Sequence, residues 1–139
     1  MVHGLIHSNL GFYVGDLCYA MNEKLYDKFW GDELGFSDGV FLVPENKYFP
    51  SGKGYFFAVD STTYGDGTYE DDDGREYPVD AGVIGVLPLE LVDNSVYDGG
   101  GHIFEVPGVC SFTAYSGHFT IELPNHEVLI IKTDDEEEF

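Results

Sequence analysis

The chain of 139 residues has few basic residues, few cysteines and no long apolar run. Only six Lys and Arg stand against 26 Asp and Glu, which gives a formal net charge of −20. Binding to nucleic acid or to an anionic membrane requires many cations that neutralise phosphates, and this chain has too few. We therefore expect no direct contact with nucleic acid or with a membrane.

Cys18 and Cys110 are the only cysteines, fewer than the disulfide framework of a small secreted domain normally uses. The first residues have neither the basic start nor the apolar core of a secretory signal peptide. No segment approaches the roughly 18 apolar residues of a membrane-spanning helix. These features predict a cytoplasmic protein in which both thiols are unpaired.

Aromatic residues and glycine are abundant. The chain contains eleven Phe, ten Tyr and one Trp, which favour β-strands and exclude a wholly disordered chain. Its 18 Gly supply the turns that many short strands need. A chain of this length usually forms one domain and can fold without a metal or a disulfide. We predict a single β-rich domain over residues 1–133 and an acidic tail over residues 134–139.

One segment, near residues 22–30, has the pattern of a short α-helix. Asn22 is a suitable N-cap, and Glu23 favours the positive end of the helix dipole. Leu25 and Phe29 follow at helical spacing, so this side of the helix is expected to pack against the core.

The rest of the chain alternates short apolar segments with turn residues, the pattern of many short strands. The Asp73-Gly74 step, flanked by Tyr69 and Tyr77, predicts a β-hairpin. Residues 79–87 predict one buried strand in which Gly82 and Gly85 mark a bulge or the close approach of another backbone. Further predicted strands are 11–16, 40–43, 55–59, 102–106, 109–115, 119–123 and 128–132. Together they predict an all-β or β-dominated fold, an antiparallel barrel or sandwich.

Two stretches resemble the motifs of a known family. They are Gly15-Asp16-Leu17-Cys18-Tyr19 and Tyr64-Gly65-Asp66-Gly67 with the later Val79-Asp80-Ala81-Gly82. Both resemble an uncharacterised family of small acidic proteins of bacteria and their phages, although Leu17 stands where that family has proline. The resemblance carries no known activity. It implies a bacterial or phage-infected host cell, where small acidic proteins often inhibit defence nucleases, in an anti-defence or anti-CRISPR role, by imitating DNA.

The charge itself has two interpretations. Self-repulsion at a net charge of −20 destabilises the compact state, so such a surface carries a cost. It is compatible with a halophilic or very soluble protein, against which the many bulky Phe, Tyr and Ile argue weakly. It is equally compatible with a surface that meets a strongly basic partner.

Acidic residues concentrate in the predicted hairpin and in the tail. The two groups are Asp66, Glu70, Asp71, Asp72, Asp73 and Glu76, and Asp134, Asp135, Glu136, Glu137 and Glu138. A calcium loop needs acids at its first, third and fifth positions before a Gly at the sixth. With Gly74 at the sixth position Tyr69 stands first, so the pattern fails and no metal is expected. A solvated turn and a contact for a basic partner both remain possible roles.

Catalysis is the rival hypothesis. Asp16, Asp66 and Asp80 each lie beside a glycine or a strand end, where burial could adapt a carboxylate to acid–base work. Asp80 could equally accept hydrogen bonds from turn amides. Cys18 is the thiol to consider as a nucleophile, but no histidine forms a recognisable motif with it. Neither a zinc-binding spacing nor a phosphate loop is present, so no cofactor is expected.

The leading hypothesis is a non-enzymatic inhibitor or adaptor without catalytic residues. Its carboxylates would occupy the basic site of a nucleic-acid-binding protein, because they offer Arg and Lys the same anionic oxygens as phosphates. Residues 66–76 are the first candidate contact and the tail is the second. The alternative is a small enzyme, or a ligand-binding or metal-binding domain, that uses Asp16, Cys18, Asp66 and Asp80.

Overall fold

The structure, a computed structural model, describes residues 1–27, 39–43, 54–97 and 99–133. Antiparallel strands dominate these residues, which confirms the predicted β-rich fold. The predicted acidic tail lies outside the described residues, as does the end of the predicted helix. Among the residues described, no helix is long and apolar enough to cross a membrane.

The described residues form eleven strands and one α-helix. The strands are β1 (Val2–Ser8), β2 (Phe12–Gly15), β3 (Gly39–Val43), β4 (Tyr55–Ser61), β5 (Gly67–Glu70), β6 (Glu76–Val79), β7 (Val83–Pro88), β8 (His102–Phe104), β9 (Gly108–Tyr115), β10 (His118–Glu122) and β11 (Val128–Lys132). The helix α1 is Glu23–Asp27, and short 3₁₀ turns span Leu17–Tyr19 and Leu89–Leu91. As predicted, Asn22 caps α1, since its side-chain oxygen accepts hydrogen bonds from the backbone N–H groups of Lys24 and Leu25.

The strands form two larger antiparallel sheets and a separate hairpin. The four-stranded sheet has the order β1-β9-β10-β11, and the five-stranded sheet has the order β3-β4-β7-β2-β8. The strands β5 and β6 pair with each other. Because neither sheet closes on itself, the fold is a sandwich and not a barrel.

Apolar side chains cover both faces of the five-stranded sheet. One cluster lies between the two sheets and includes Ile6, Ile84 and Phe112. A second cluster, on the opposite face, packs Leu87 against Leu25 of α1 and against the 3₁₀ turns. Every residue of β7 is therefore buried, as is usual for a strand covered on two faces.

The predicted strand over residues 79–87 is in fact two strands. The strand β6 ends and β7 begins on either side of a turn in which Gly82 has a φ of +83°, a conformation that glycine adopts at little cost. Gly85 confirms the predicted close approach, because a Cβ atom there would lie 2.5 Å from the carbonyl oxygen of Ala58. The turn between β6 and β7 also contacts a buried carboxylate, that of Asp16.

Candidate functional site

The acidic hairpin, defined as residues 66–79, links the edges of the two sheets. Asp71 forms a β-bridge with Ile131 of the edge strand β11. Along β6, a ring nitrogen of His102 lies 2.8 Å from the carbonyl oxygen of Glu76. His102 belongs to β8, the edge of the five-stranded sheet. The hairpin is thus attached to both halves of the sandwich and covers edges that would otherwise be open to pairing.

The hairpin has an inner and an outer face, because successive side chains of a strand point in opposite directions. Tyr69 and Tyr77 pair across its two strands and pack against the core. Glu70 and Glu76 pair at the next position and are exposed. Within the part of the chain that the structure describes, neither of these two carboxylates forms an ion pair. Two like charges directly opposite each other are unfavourable, so the outer face holds unneutralised negative charge.

Asp71 differs from its neighbours because its carboxylate points inwards. Its Oδ1 accepts hydrogen bonds from the backbone N–H groups of Asp73 and Arg75, at 2.9 and 3.0 Å. Its Oδ2 accepts the hydroxyl of Tyr77 at 2.7 Å and a guanidinium N–H of Arg75 at 3.2 Å. The side chain is 1% exposed, so the expectation of a solvated turn is wrong for Asp71. Asp72 and Asp73 are exposed.

These hydrogen bonds fix the charges inside the hairpin. Burial alone would raise the pKa of Asp71, but the hydrogen bonds from Tyr77, Arg75 and the backbone N–H of Asp73 outweigh it and lower the pKa below its usual 3.8. Burial and the adjacent carboxylate raise the pKa of Tyr77. At neutral pH the site therefore holds an ionised Asp71, a neutral Tyr77 and a charged Arg75.

Arg75 carries the hairpin's positive charge, and this charge is paired with carboxylates of the protein itself. Its guanidinium donates hydrogen bonds to Asp71, to Asp73 at 3.1 Å and to Glu127 at 2.8 Å. It also lies over the ring of Phe104, 5.2 Å from the centroid. Because three carboxylates share one guanidinium, Arg75 does not offset the exposed charge on the outer face.

The residues of the rival catalytic hypothesis are partly brought together. Asp16 is fully buried, and its carboxylate accepts backbone N–H groups of Cys18 at 3.0 Å, Asp80 at 2.8 Å and Ala81 at 2.6 Å. It holds the first 3₁₀ turn against the turn between β6 and β7. The side chain that accepts turn amides is therefore that of Asp16, while Asp80 donates its own N–H. In the described part of the chain, no hydrogen bond joins Asp66 to this group.

The chemistry of this second cluster favours a structural role. Burial, followed by the charges of Asp16 and Asp80, raises the pKa of the Cys18 thiol to about 12. Burial and the same carboxylates also raise the pKa of Tyr26. Such a thiol is protonated at neutral pH, whereas a nucleophile needs the thiolate. Cys110 is buried in the core with its pKa raised to about 12 by burial, and both cysteines are unpaired as predicted.

The sequence pattern indicated Asp71 only as a contact or a solvated turn residue and not its internal role, although one signal for that role was present. Asp at the first position of a turn with Gly at the fourth is typical of a type I turn whose Asp side chain accepts following amides. Asp71 and Gly74 have this spacing, and the N–H of Gly74 donates to the carbonyl of Asp71 at 3.0 Å. The contact of Arg75 with Glu127 joins residues 52 positions apart, and no local sequence pattern predicts it.

No group of three or more His, Cys, Asp or Glu side chains that could hold a metal occurs in the described ranges. No protein-family model, curated protein or solved structure matches the chain. A function must therefore be inferred from the residues and motifs of this chain.

Proposed function

We propose that the protein binds a basic partner through the outer face of the acidic hairpin and acts as a stoichiometric inhibitor or adaptor. The observation that carries the proposal is the exposed pair Glu70 and Glu76, which lie opposite each other without a described cation, beside the exposed Asp72. A folded protein keeps such a repulsive pair at a cost. Cations of a partner would relieve that cost on binding.

The inner face makes the hairpin a rigid platform for these charges. Tyr77 is fully buried, and Asp71 ties together both ends of the turn. Attachment to β8 and β11 fixes the orientation of the strands. A preorganised contact loses little conformational entropy on binding, so more of the electrostatic attraction appears as affinity.

The charge around the hairpin favours a partner that normally binds nucleic acid. Residues 54–97 contain ten Asp and Glu but a single cation, Arg75, which is neutralised internally. Such a field accelerates association with a basic surface. Carboxylates present Arg and Lys with the same kind of anionic oxygen as a phosphate backbone. The proposed mechanism is therefore imitation of DNA.

The proposed setting follows from the family resemblance. A bacterial cell, or one infected by a phage, contains defence nucleases whose DNA-binding grooves are basic. The cytoplasm of such a cell is the proposed location. The unpaired Cys18 and Cys110 are compatible with its reducing conditions.

The test compares two variants that lose the same amount of charge. Both the wild-type protein and the variants are used to capture partners from bacterial extract at low and high salt, and the captured partner is then titrated. One variant neutralises the outer face of the hairpin with Glu70→Gln, Asp72→Asn and Glu76→Gln. The matched control neutralises three exposed carboxylates elsewhere with Glu23→Gln, Asp27→Asn and Glu105→Gln.

We expect the hairpin variant to bind more slowly and with a flatter salt dependence, while the control stays close to wild type. DNA should compete with the protein for the partner, because the proposal places both in one groove. Equal loss in both variants would show a general effect of net charge. Simultaneous binding of DNA and protein would refute the DNA-mimic mechanism.

A further inference from the structure

The four-stranded sheet has an outer surface that contrasts with the rest of the molecule. The outer sheet face is defined as the side chains of β1, β9, β10 and β11 that point away from the sandwich core. By strand pairing and exposure, Glu122 is its one acidic member and Lys132 its one Lys or Arg. The other positions are His, Ser, Thr, Tyr or aliphatic. In a chain with 26 acidic residues, this broad face has almost no negative charge.

The same face exposes aliphatic side chains. Leu5 is 64% exposed, Val109 50% and Val128 43%. Leu5 and Val128 lie at the two ends of one row across the sheet, with Ser111 and Glu122 between them. Leu5 and Val109, on the adjacent strands β1 and β9, both line a groove of about 160 Å³, together with Glu122. Exposed apolar side chains that adjoin in this way are typical of an interaction surface.

We infer that the outer sheet face docks a second copy of this chain. A basic partner would gain most at the hairpin, where carboxylates are dense and which adjoins the β11 edge of the sheet, and not at the β1 and β9 side, where Leu5 and Val109 lie. Nucleic acid would be repelled by the net charge of −20. Two copies also repel each other, and their repulsion is smallest where acids are fewest, because charges beyond about 8 Å are largely screened at physiological salt. The acid-poor, apolar face is thus suited to self-association.

The size of the face limits the surface area that this dimer can bury. Four strands spaced about 4.8 Å apart, with outward residues over roughly 20 Å of strand length, cover about 400 Å² of flat surface. Protruding side chains add to this flat area, so the accessible surface buried on two copies together is about 1,000 Å². This is the lower end for a specific interface. We therefore expect a weak, reversible dimer. The inference does not depend on the proposed partner of the hairpin.

The experiment is sedimentation velocity over a wide range of protein concentration, with two face variants and one control. Leu5→Lys and Val128→Lys place a charge in the face, while Leu42→Lys changes a similarly exposed aliphatic residue of β3, 47% exposed, on the other sheet. Each new Lys lowers the net negative charge, so general repulsion alone would strengthen the dimer. We expect Leu5→Lys and Val128→Lys to weaken it at least tenfold and Leu42→Lys to leave it unchanged.

Salt gives an independent readout of the same contact. Added salt should strengthen the wild-type dimer, because it screens the like charges and leaves apolar burial intact. Circular dichroism and thermal melts verify that each variant is folded. If Leu5→Lys does not fold, Thr120→Lys at the centre of the face replaces it, since Thr120 is exposed. A monomer at millimolar concentration, or equal weakening by Leu42→Lys, would overturn the inference.

Discussion

Asp71 and Asp72 are neighbours with the same side chain, yet they occupy opposite environments. The carboxylate of Asp71 is 1% exposed and accepts four hydrogen bonds, whereas Asp72 is exposed. The first holds the hairpin together, and the second is available to a partner. The difference shows that the acidic residues of this chain form two populations, and that net charge alone does not describe the surface.

Asp16 belongs to the first population. Like Asp71, it is buried and accepts backbone N–H groups that would otherwise lack partners at a turn. Glu70 and Glu76 belong to the second, because they project from a paired strand position into solvent. The two buried carboxylates stabilise the fold, and the functional role that we propose belongs to the exposed ones.

The largest expected effect is loss of stability in Asp71→Ala. The substitution leaves the Tyr77 hydroxyl and two backbone N–H groups without their acceptor and removes the buried partner of Arg75. Each such buried group left unsatisfied costs about 1–3 kcal/mol, and we expect a total of about 3 kcal/mol or more. Urea unfolding of Asp71→Ala beside Asp72→Ala measures it. The control should stay within about 0.5 kcal/mol of wild type.

A small effect of Asp71→Ala, equal to that of Asp72→Ala, would abolish the division into two populations. It would mean that the turn forms without its internal carboxylate. Asp71→Asn serves as an intermediate case, because the amide keeps one acceptor oxygen and loses the charge. We expect its destabilisation to lie between those of the two alanine variants.

The pH dependence of stability sharpens the same comparison. The pKa of Asp71 in the folded protein is lower than its usual 3.8, so the ionised form stabilises the folded state. This contribution is complete above the unfolded pKa and is lost as pH falls through the lower folded value. The stability difference between wild type and Asp71→Asn should therefore be constant near neutral pH and shrink below pH 3.8. A difference that stays unchanged down to strongly acidic pH would contradict the assignment.

Most strands and the helix cap could be predicted because each depends on local sequence. The strand β1 was not predicted, since its alternation is broken at two positions. Leu5 is apolar but exposed, and Gly4 occupies an inward position. A Cβ atom on Gly4 would lie 2.6 Å from a methyl carbon of Val40, so contact with a neighbouring strand explains the glycine. The sequence pattern of β1 therefore reflects tertiary packing that no local rule contains.

The acidic hairpin could also be predicted from the sequence, but only some of its internal contacts could be predicted. The turn of Asp71 is encoded within a few residues. The carboxylate of Asp16, by contrast, accepts the N–H of Ala81, 65 positions later, because β2 pairs with β7, the strand that follows Ala81. The sequence suggested that Asp16, Cys18, Asp66 and Asp80 could share a site. The first, second and fourth lie together, whereas no hydrogen bond in the described ranges joins Asp66 to them. The pKa of the Cys18 thiol in this cluster depends on how deeply it is buried, and a local sequence pattern does not determine burial.

The smallest expected effect concerns the repulsive pair on the outer face. Glu70 and Glu76 lie directly opposite each other, so Glu70→Lys should replace repulsion with attraction. Cross-strand charge pairs contribute roughly 0.2–1 kcal/mol, and stability should rise by about that amount. Glu70→Lys combined with Glu76→Lys restores repulsion and should lose the gain. Thermal melts of the wild type, both single variants and the double variant form a double-mutant cycle that isolates the pair.

The Glu70→Lys variant should at the same time bind the basic partner more weakly, because it places a cation in the contact. Higher stability with weaker binding would show that these carboxylates are kept for function. Higher stability with unchanged binding would exclude the pair from the contact.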